Sequence, residues 1–274
     1  MRVKRTYGFL ICCVLTMVSC NQVEETKIEA NNQLEIAEPE VEEQETNAEN
    51  IVEGIDEELE TELEELDYYR VNEENWSIEP IDDGNEQVVL VTIDDAPDKY
   101  SIKMAETLDK LGVKAIFFVN GHLLDDDGKR VVKELHKRGF EIGNHTMNHP
   151  TMSDLSEDEQ RSEIVELNDI IYELIGEYPR FYRAPFGGNT DYTNELTAEL
   201  GMVKMNWTYG YDWEPDYLEP EPLADIMVNA PLLQNGANLL MHDRKWTADA
   251  LESIVHGLKE KGYEFVDPEQ IKTK

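Results

Sequence analysis

The chain has 274 residues, with 60 Asp and Glu against 24 Lys and Arg, and a formal net charge of −36. That balance excludes a nucleic-acid partner, because a phosphate backbone is bound by a basic face that releases its counterions. The length suits one large domain or two small ones. All three cysteines (Cys12, Cys13 and Cys20) lie in the first twenty residues, which leaves none for disulfides or thiolate metal sites in the rest.

Residues 1–19 read as an export signal. "MRVKR" supplies a positive start and "GFLICCVLTMV" an apolar core of 11 residues. As a helix that core is roughly 16 Å long at ~1.5 Å per residue, about half of a ~30 Å bilayer interior, so it is a signal peptide rather than a span. Its end, "MVSC", resembles the lipobox of bacterial lipoproteins, with Met17 where Leu is commoner. The resemblance implies a diacylglyceryl group on Cys20, cleavage before it, and a protein held on the extracytoplasmic face of the cell membrane.

Residues 20–87 are expected to be a disordered tether. From Asn21 to Gln87 there are 25 acidic and 2 basic residues and few aromatics, a composition that repels itself and cannot form a core. Ile51, Ile55, Leu59, Leu63 and Leu66 nonetheless fall at the spacing of a transient acidic helix. A folded domain is expected over 88–274. There "VVLVTI", "KAIFFV", "FEIGN", "RFYRAP", "MVKMNW", "ANLLMH" and "YEFV" read as strands. Helical stretches lie between most of them: 101–111 closed by Gly112, "KRVVKELHKR" closed by Gly139, a long one opened by the Ser156/Glu159 capping box, one over 189–201, and "TADALESIVHGLKEKG". Repeating βα units imply a parallel sheet or a barrel, with functional loops at the strand C-termini.

The chemistry-bearing residues fall at that edge. Asp94 and Asp95 end the first strand, where alternation would send successive side chains to opposite faces. "HTMNHP" (145–150) follows "FEIGN", "RAPFGG" (183–188) ends the next strand, "YDW" (211–213) lies beyond "MVKMNW", and His242 closes "ANLLMH". His145 and His149 with a nearby carboxylate make a two-nitrogen, one-oxygen set suited to Zn²⁺ or a similar divalent ion. Pro150 disfavours a helical His149, so the two form a loop pair.

In order, "TIDD", "HTMNHP", "RAPFG" and "LLMHD" resemble the successive motifs of the polysaccharide deacetylases, carbohydrate esterase family 4. The resemblance covers 88 to about 266 and implies an α/β fold, a distorted (β/α) barrel with seven or eight strands. Carried over residue by residue, it implies that Asp94 is the general base and that Asp95, His145 and His149 hold the metal. It implies that Arg183 orients the base and that His242 is the general acid. The backbone N–H of Phe186 would help hold the oxyanion, and Leu240 would border the acetyl pocket. The fourth motif departs from the family: Gly210 stands near where its first Asp belongs and the spacing is one residue shorter, which leaves Asp212 to orient His242 and Trp213 to line the cleft. Ala96-Pro97 replaces the common Gly-Pro.

The sequence therefore implies a monomeric, metal-dependent enzyme that removes N-acetyl groups from an amino-sugar polymer, peptidoglycan or chitooligosaccharide, with peptidoglycan favoured by the anchor and spacer. Two alternatives stay open on sequence grounds: a catalytically dead glycan-binding envelope protein, and an O-acetyl esterase acting on a xylan-like polysaccharide.

Overall fold

Two parallel strands decide the architecture. β3 (Val88–Ala96) and β4 (Ala115–Val119) are buried on both faces, as strands with helices outside and a barrel interior within must be. Val89, Val91, Ile93, Ala115, Phe117 and Val119 join the apolar layer beneath the helices, whereas Val88, Leu90, Ile116 and Phe118 join a second, inner cluster. This is the period-two alternation of a strand, and it places Thr92 and Asp94 on the inner face above Leu90.

The computed structural model describes residues 68–273. The expected signal, Cys20 and the tether as far as residue 67 lie outside the described residues. With β5 (Glu141–Asn144), β6 (Phe181–Tyr182), β7 (Val203–Lys204), β8 (Ala237–His242) and β9 (Glu264–Phe265), the two central strands form a seven-stranded parallel sheet. Its order is β7-β6-β5-β4-β3-β8, with β9 pairing the start of β3. Beyond β7 the chain reaches the opposite edge, where Thr208 N–H donates to Asn238 O at 2.8 Å and Leu240 N–H donates to Tyr209 O at 2.9 Å. The sheet thereby curls into the expected distorted barrel.

Helices α1 (Ser101–Leu111), α2 (Asp126–Lys137), α3 (Glu157–Ile175), α4 (Asp191–Glu199), α5 (Pro220–Asn229) and α6 (Lys245–Glu260) provide the crossovers that parallel strands require. The capping box forms at the start of α3, with Ser156 N–H donating to Glu159 Oε2 at 2.8 Å.

The tether expected over 20–87 gives way earlier than its composition suggests. Residues 69–80 form an antiparallel pair, β1 (Tyr69–Val71) and β2 (Ile78–Pro80). Tyr69 and Ile78 are buried in the inner cluster beside Val88 and Leu90. Ile78 N–H donates to Gly236 O at 2.7 Å, and Gly236 N–H donates to Val88 O at 2.8 Å. Gly236 sits at φ +73°, and a Cβ there would lie 2.1 Å from Ile78 O, so only glycine allows this approach. Two apolar side chains among many acids are enough to seat the hairpin.

Ile78→Ala is expected to destabilise the domain by about 2–4 kcal/mol, because it empties a fully buried site. Urea unfolding measures this. A loss below about 0.5 kcal/mol would mean that the hairpin is an appendage rather than part of the core.

Candidate metal centre and active-site cleft

A one-residue bulge brings Asp94 and Asp95 to the same place. Against β4 the register runs Ile93↔Phe117 and then Ala96↔Val119, so β3 carries one residue more than its partner. Asp95, within the bulge, lies in the left-handed region at φ +58°. Strand alternation alone would have sent the two side chains apart. Instead Asp94 Oδ2 and Asp95 Oδ1 lie 3.6 and 4.0 Å from the same atom, His145 Nε2.

His145 follows β5, buried, with its Nδ1 2.7 Å from Arg183 O. A carbonyl only accepts, so Nδ1 carries the proton and Nε2 presents its lone pair to the cleft. Asn120 Nδ2 donates to His145 O at 2.5 Å and fixes the backbone behind the ring. Burial holds His145 below the usual imidazole range against the pull of Asp94, which favours the neutral, ligating form. His149, in the same loop at φ +54°, places Nε2 3.7 Å from Asp95 Oδ1. Burial raises the Asp95 carboxyl, but the neighbouring His242, His145, Arg244 and His149 outweigh it and hold the group below its ordinary value.

One donor atom from each of Asp95, His145 and His149 lies within 4.8 Å of the others. Donors each about 2.1 Å from a shared ion must lie within about 4.2 Å of one another, and both contacts of Asp95 Oδ1 with the histidines meet that limit. The donor set, the fixed tautomer and the two Asp95 distances fit a divalent cation. Arg244 Nη2 donates to Asp95 Oδ2 at 2.7 Å, so the second oxygen is engaged elsewhere.

Asp94 is held differently. Its Oδ1 accepts from Arg183 Nη1 at 2.6 Å inside the barrel. Arg183 is buried and uses all five of its N–H donors: Nη1 also reaches Thr92 Oγ1 (2.8 Å), Nε reaches Met205 O (3.3 Å), and Nη2 reaches Asn206 O (2.8 Å) and Asn238 Oδ1 (3.3 Å). The guanidinium also packs 4.3 Å from the centroid of Phe118.

His242 ends β8, directly opposite Asp94 in the β3–β8 register. Its Nδ1 lies 2.7 Å from Asp212 Oδ1 and its backbone N–H donates to Asp212 Oδ2 at 2.6 Å. Burial lowers the His242 pKa, but the Asp212 bond and the charges of Asp212, Asp94 and Asp95 outweigh it and raise the proton affinity. The atypical fourth motif has a steric cause: a Cβ on Gly210 would lie 2.3 Å from Leu240 O and 2.8 Å from the Trp213 ring. A residue with a side chain has no room there, and Asp212 makes the contact with His242.

A cleft of about 590 Å³ is lined by Asp94, Asp95, His145, His149, His242 and Asp212, with Phe186, Trp213, Leu240 and Arg244 among the others. Phe186 is 70% exposed at φ +58° and packs its ring 4.8 Å from His149. Trp213 is 44% exposed and meets His242 edge-on at 5.4 Å. Leu240 is buried in the wall. The structure thus brings together every site residue singled out in the sequence apart from Cys20, which lies outside the described residues. The sequence gives no sign of Arg244, nor of Asp243, whose carboxylate accepts from Asp98, Tyr100 and Ser101 N–H at 2.7–2.9 Å and caps α1 from the loop after β8.

The sequence profile of the polysaccharide deacetylases matches residues 82–205. A peptidoglycan-N-acetylglucosamine deacetylase of Bacillus cereus is 30% identical over 190 residues, covering 66% of this chain and 67% of that protein. This chain belongs to the polysaccharide deacetylase family. An uncharacterised protein of Bacillus subtilis, YlxY, is 34% identical over 200 residues, covering 70% of this chain and 60% of its own length. The crystal structure of BA3943 from Bacillus anthracis, described as a CE4 family pseudoenzyme, superposes with a TM-score of 0.61 at 31% identity, over 66% of this chain and 63% of that one. Against these last two proteins the polysaccharide deacetylase domain spans less than two thirds of their length.

Gly210→Ala is expected to cost about 1–3 kcal/mol by overpacking against Leu240 O. It should also displace Trp213. Chemical denaturation and the change in tryptophan fluorescence report both effects, and an unchanged midpoint would mean that residue 210 has room for a side chain.

Proposed function

We propose that the chain is a metal-dependent N-deacetylase acting on the acetylated amino sugars of peptidoglycan. The observation that carries this reading is the pairing of Asp94 with a fully bonded, buried Arg183 beside a separate Asp95/His145/His149 donor set. One carboxylate is thereby free to handle a proton while its neighbour serves as a ligand.

A divalent cation, Zn²⁺ being the proposed ion, would supply Lewis acidity to the acetamide carbonyl when held by Asp95, His145 and His149. Asp94 accepts the proton of the attacking water through Oδ2, since Oδ1 is engaged by Arg183. The backbone N–H of Phe186 is assigned to the developing oxyanion, a contact of a kind often worth about 3 kcal/mol. His242, in its charged form with Nδ1–H donated to Asp212, gives its Nε2 proton to the leaving nitrogen and is left neutral. That proton is needed because an amide nitrogen does not depart as an anion. Leu240 and Trp213 bound the space for the acetyl group and the sugar face.

The proposed setting is the envelope. Lipidation at Cys20 would anchor the protein at the outer face of the membrane, and the acidic segment after it would carry the catalytic domain into the wall. Intact-mass analysis of the cell-extracted protein tests this: a diacylglyceryl adduct on Cys20 is expected, and a free thiol there would end the proposal.

Three variants separate the roles. Asp94→Asn is expected to lower acetate release from digested wall glycan by about 10²–10⁴-fold while leaving metal binding within a few-fold. Asp95→Asn should weaken metal binding by more than the 10–100-fold typical of losing an outer-sphere partner. Arg183→Met should fail as Asp94→Asn does. If the metal-loaded protein releases no acetate from any acetylated glycan, the chain is a pseudoenzyme, the description that BA3943 carries.

A further inference from the structure

The first turn of α6 makes two contacts with the loop that bears Asp212. Trp246 Nε1–H donates to the main-chain O of Asp212 at 2.8 Å, and the Thr247 hydroxyl donates to Asp212 Oδ2 at 2.7 Å. Thr247 is buried, and the Asp212 side chain is 0% exposed. Oδ2 also takes the His242 backbone N–H, while Oδ1 is left to His242 Nδ1. Residue 244, the N-cap of α6, makes no side-chain capping bond. Trp246 and Thr247 are directed at Asp212 rather than at their own helix terminus.

A carboxylate can rotate about its Cβ–Cγ bond. A buried one keeps a single orientation only if each oxygen has its own donors, and an oxygen left without them carries a desolvation penalty that drives rearrangement. Here the Thr247 hydroxyl is the side-chain donor that marks Oδ2 apart from Oδ1.

We propose that Thr247, braced by Trp246, is the positioning residue that keeps Asp212 aligned on Nδ1 of His242 and so keeps Nε2 turned to the cleft.

Asp212, Asp94 and Asp95 are the acidic groups that raise the proton affinity of His242. Arg244, His145 and His149 line the same cleft, and the Trp213 edge packs against the His242 ring. Thr247 adds no charge to that environment. Losing the hydroxyl without moving Asp212 would leave that carboxylate more basic and raise the His242 midpoint, so a fall reports lost alignment.

The inference rests on the deacetylase reading only for where the His242 proton goes. Its test is an NMR titration of the His242 ring in the full, histidine-labelled chain loaded with Zn²⁺, which needs no turnover. Thr247→Val keeps the shape and removes the donor. Its His242 midpoint is expected to fall by about one pH unit, the equivalent of one weakened charge-assisted bond. Thr247→Ser should return to within about 0.3 unit, a rescue that a packing role would not give. Trp246→Phe should give a smaller fall than Thr247→Val. The proposal is overturned if Thr247→Val folds and keeps or raises the native midpoint, or if Thr247→Ser falls as far as Thr247→Val. Where Thr247→Val does not fold, Thr247→Ala carries the same expectation. A shifted midpoint without deacetylation would sink the functional reading alone, and deacetylation with an unshifted midpoint would sink this inference alone.

Discussion

Everything in the cleft depends on a single irregularity in β3: two consecutive carboxylates arrive at one site without sharing one role. A regular strand cannot do this, because its side chains alternate. The bulge between Ile93 and Ala96, with Asp95 at φ +58°, supplies the extra turn. Backbone strain of this kind persists where the surroundings over-determine it. Here Arg244 grips Asp95 Oδ2 and Arg183 grips Asp94 Oδ1, so each carboxylate has one oxygen tied to its own guanidinium and one facing the histidines.

The Arg183–Asp94 pair shows how a buried charge is tolerated. Taking two ions out of water is costly, and their attraction offsets this only where the remaining donors are also satisfied. Arg183 meets that condition with acceptors from β3, β8 and the chain beyond β7. The barrel interior is therefore apolar at the hairpin end and becomes a polar network beneath the cleft. Thr92 and Asn238 belong to that network, and each is fully buried.

Much of this was legible in the sequence because it rests on residue type and strand position. Asp94, Asp95, His145, His149, Arg183 and His242 all end or follow strands, and a parallel α/β barrel gathers such ends at one edge. What was not legible depends on the third dimension. The β1–β2 hairpin was hidden because a mean over an acidic stretch conceals two well-placed side chains, Tyr69 and Ile78. Helix α5 was hidden by Pro220 and Pro222, which interrupt a pattern in general but are tolerated in a first helical turn. Arg244 and Asp243 follow His242 directly, yet nothing in their spacing shows that they reach back to Asp95 and to the start of α1. The reason for Gly210 is likewise a distance to Leu240 O, which no one-dimensional pattern records.

The most direct measurement is an anomalous-difference map at the zinc edge from crystals of the zinc-loaded protein. The account predicts one peak bound by Asp95 Oδ1 and by Nε2 of His145 and His149, each at about 2.0–2.2 Å, with Asp94 still paired to Arg183 and outside the ion's first shell. A peak ligated by Asp94, or none at the three donors, would contradict it.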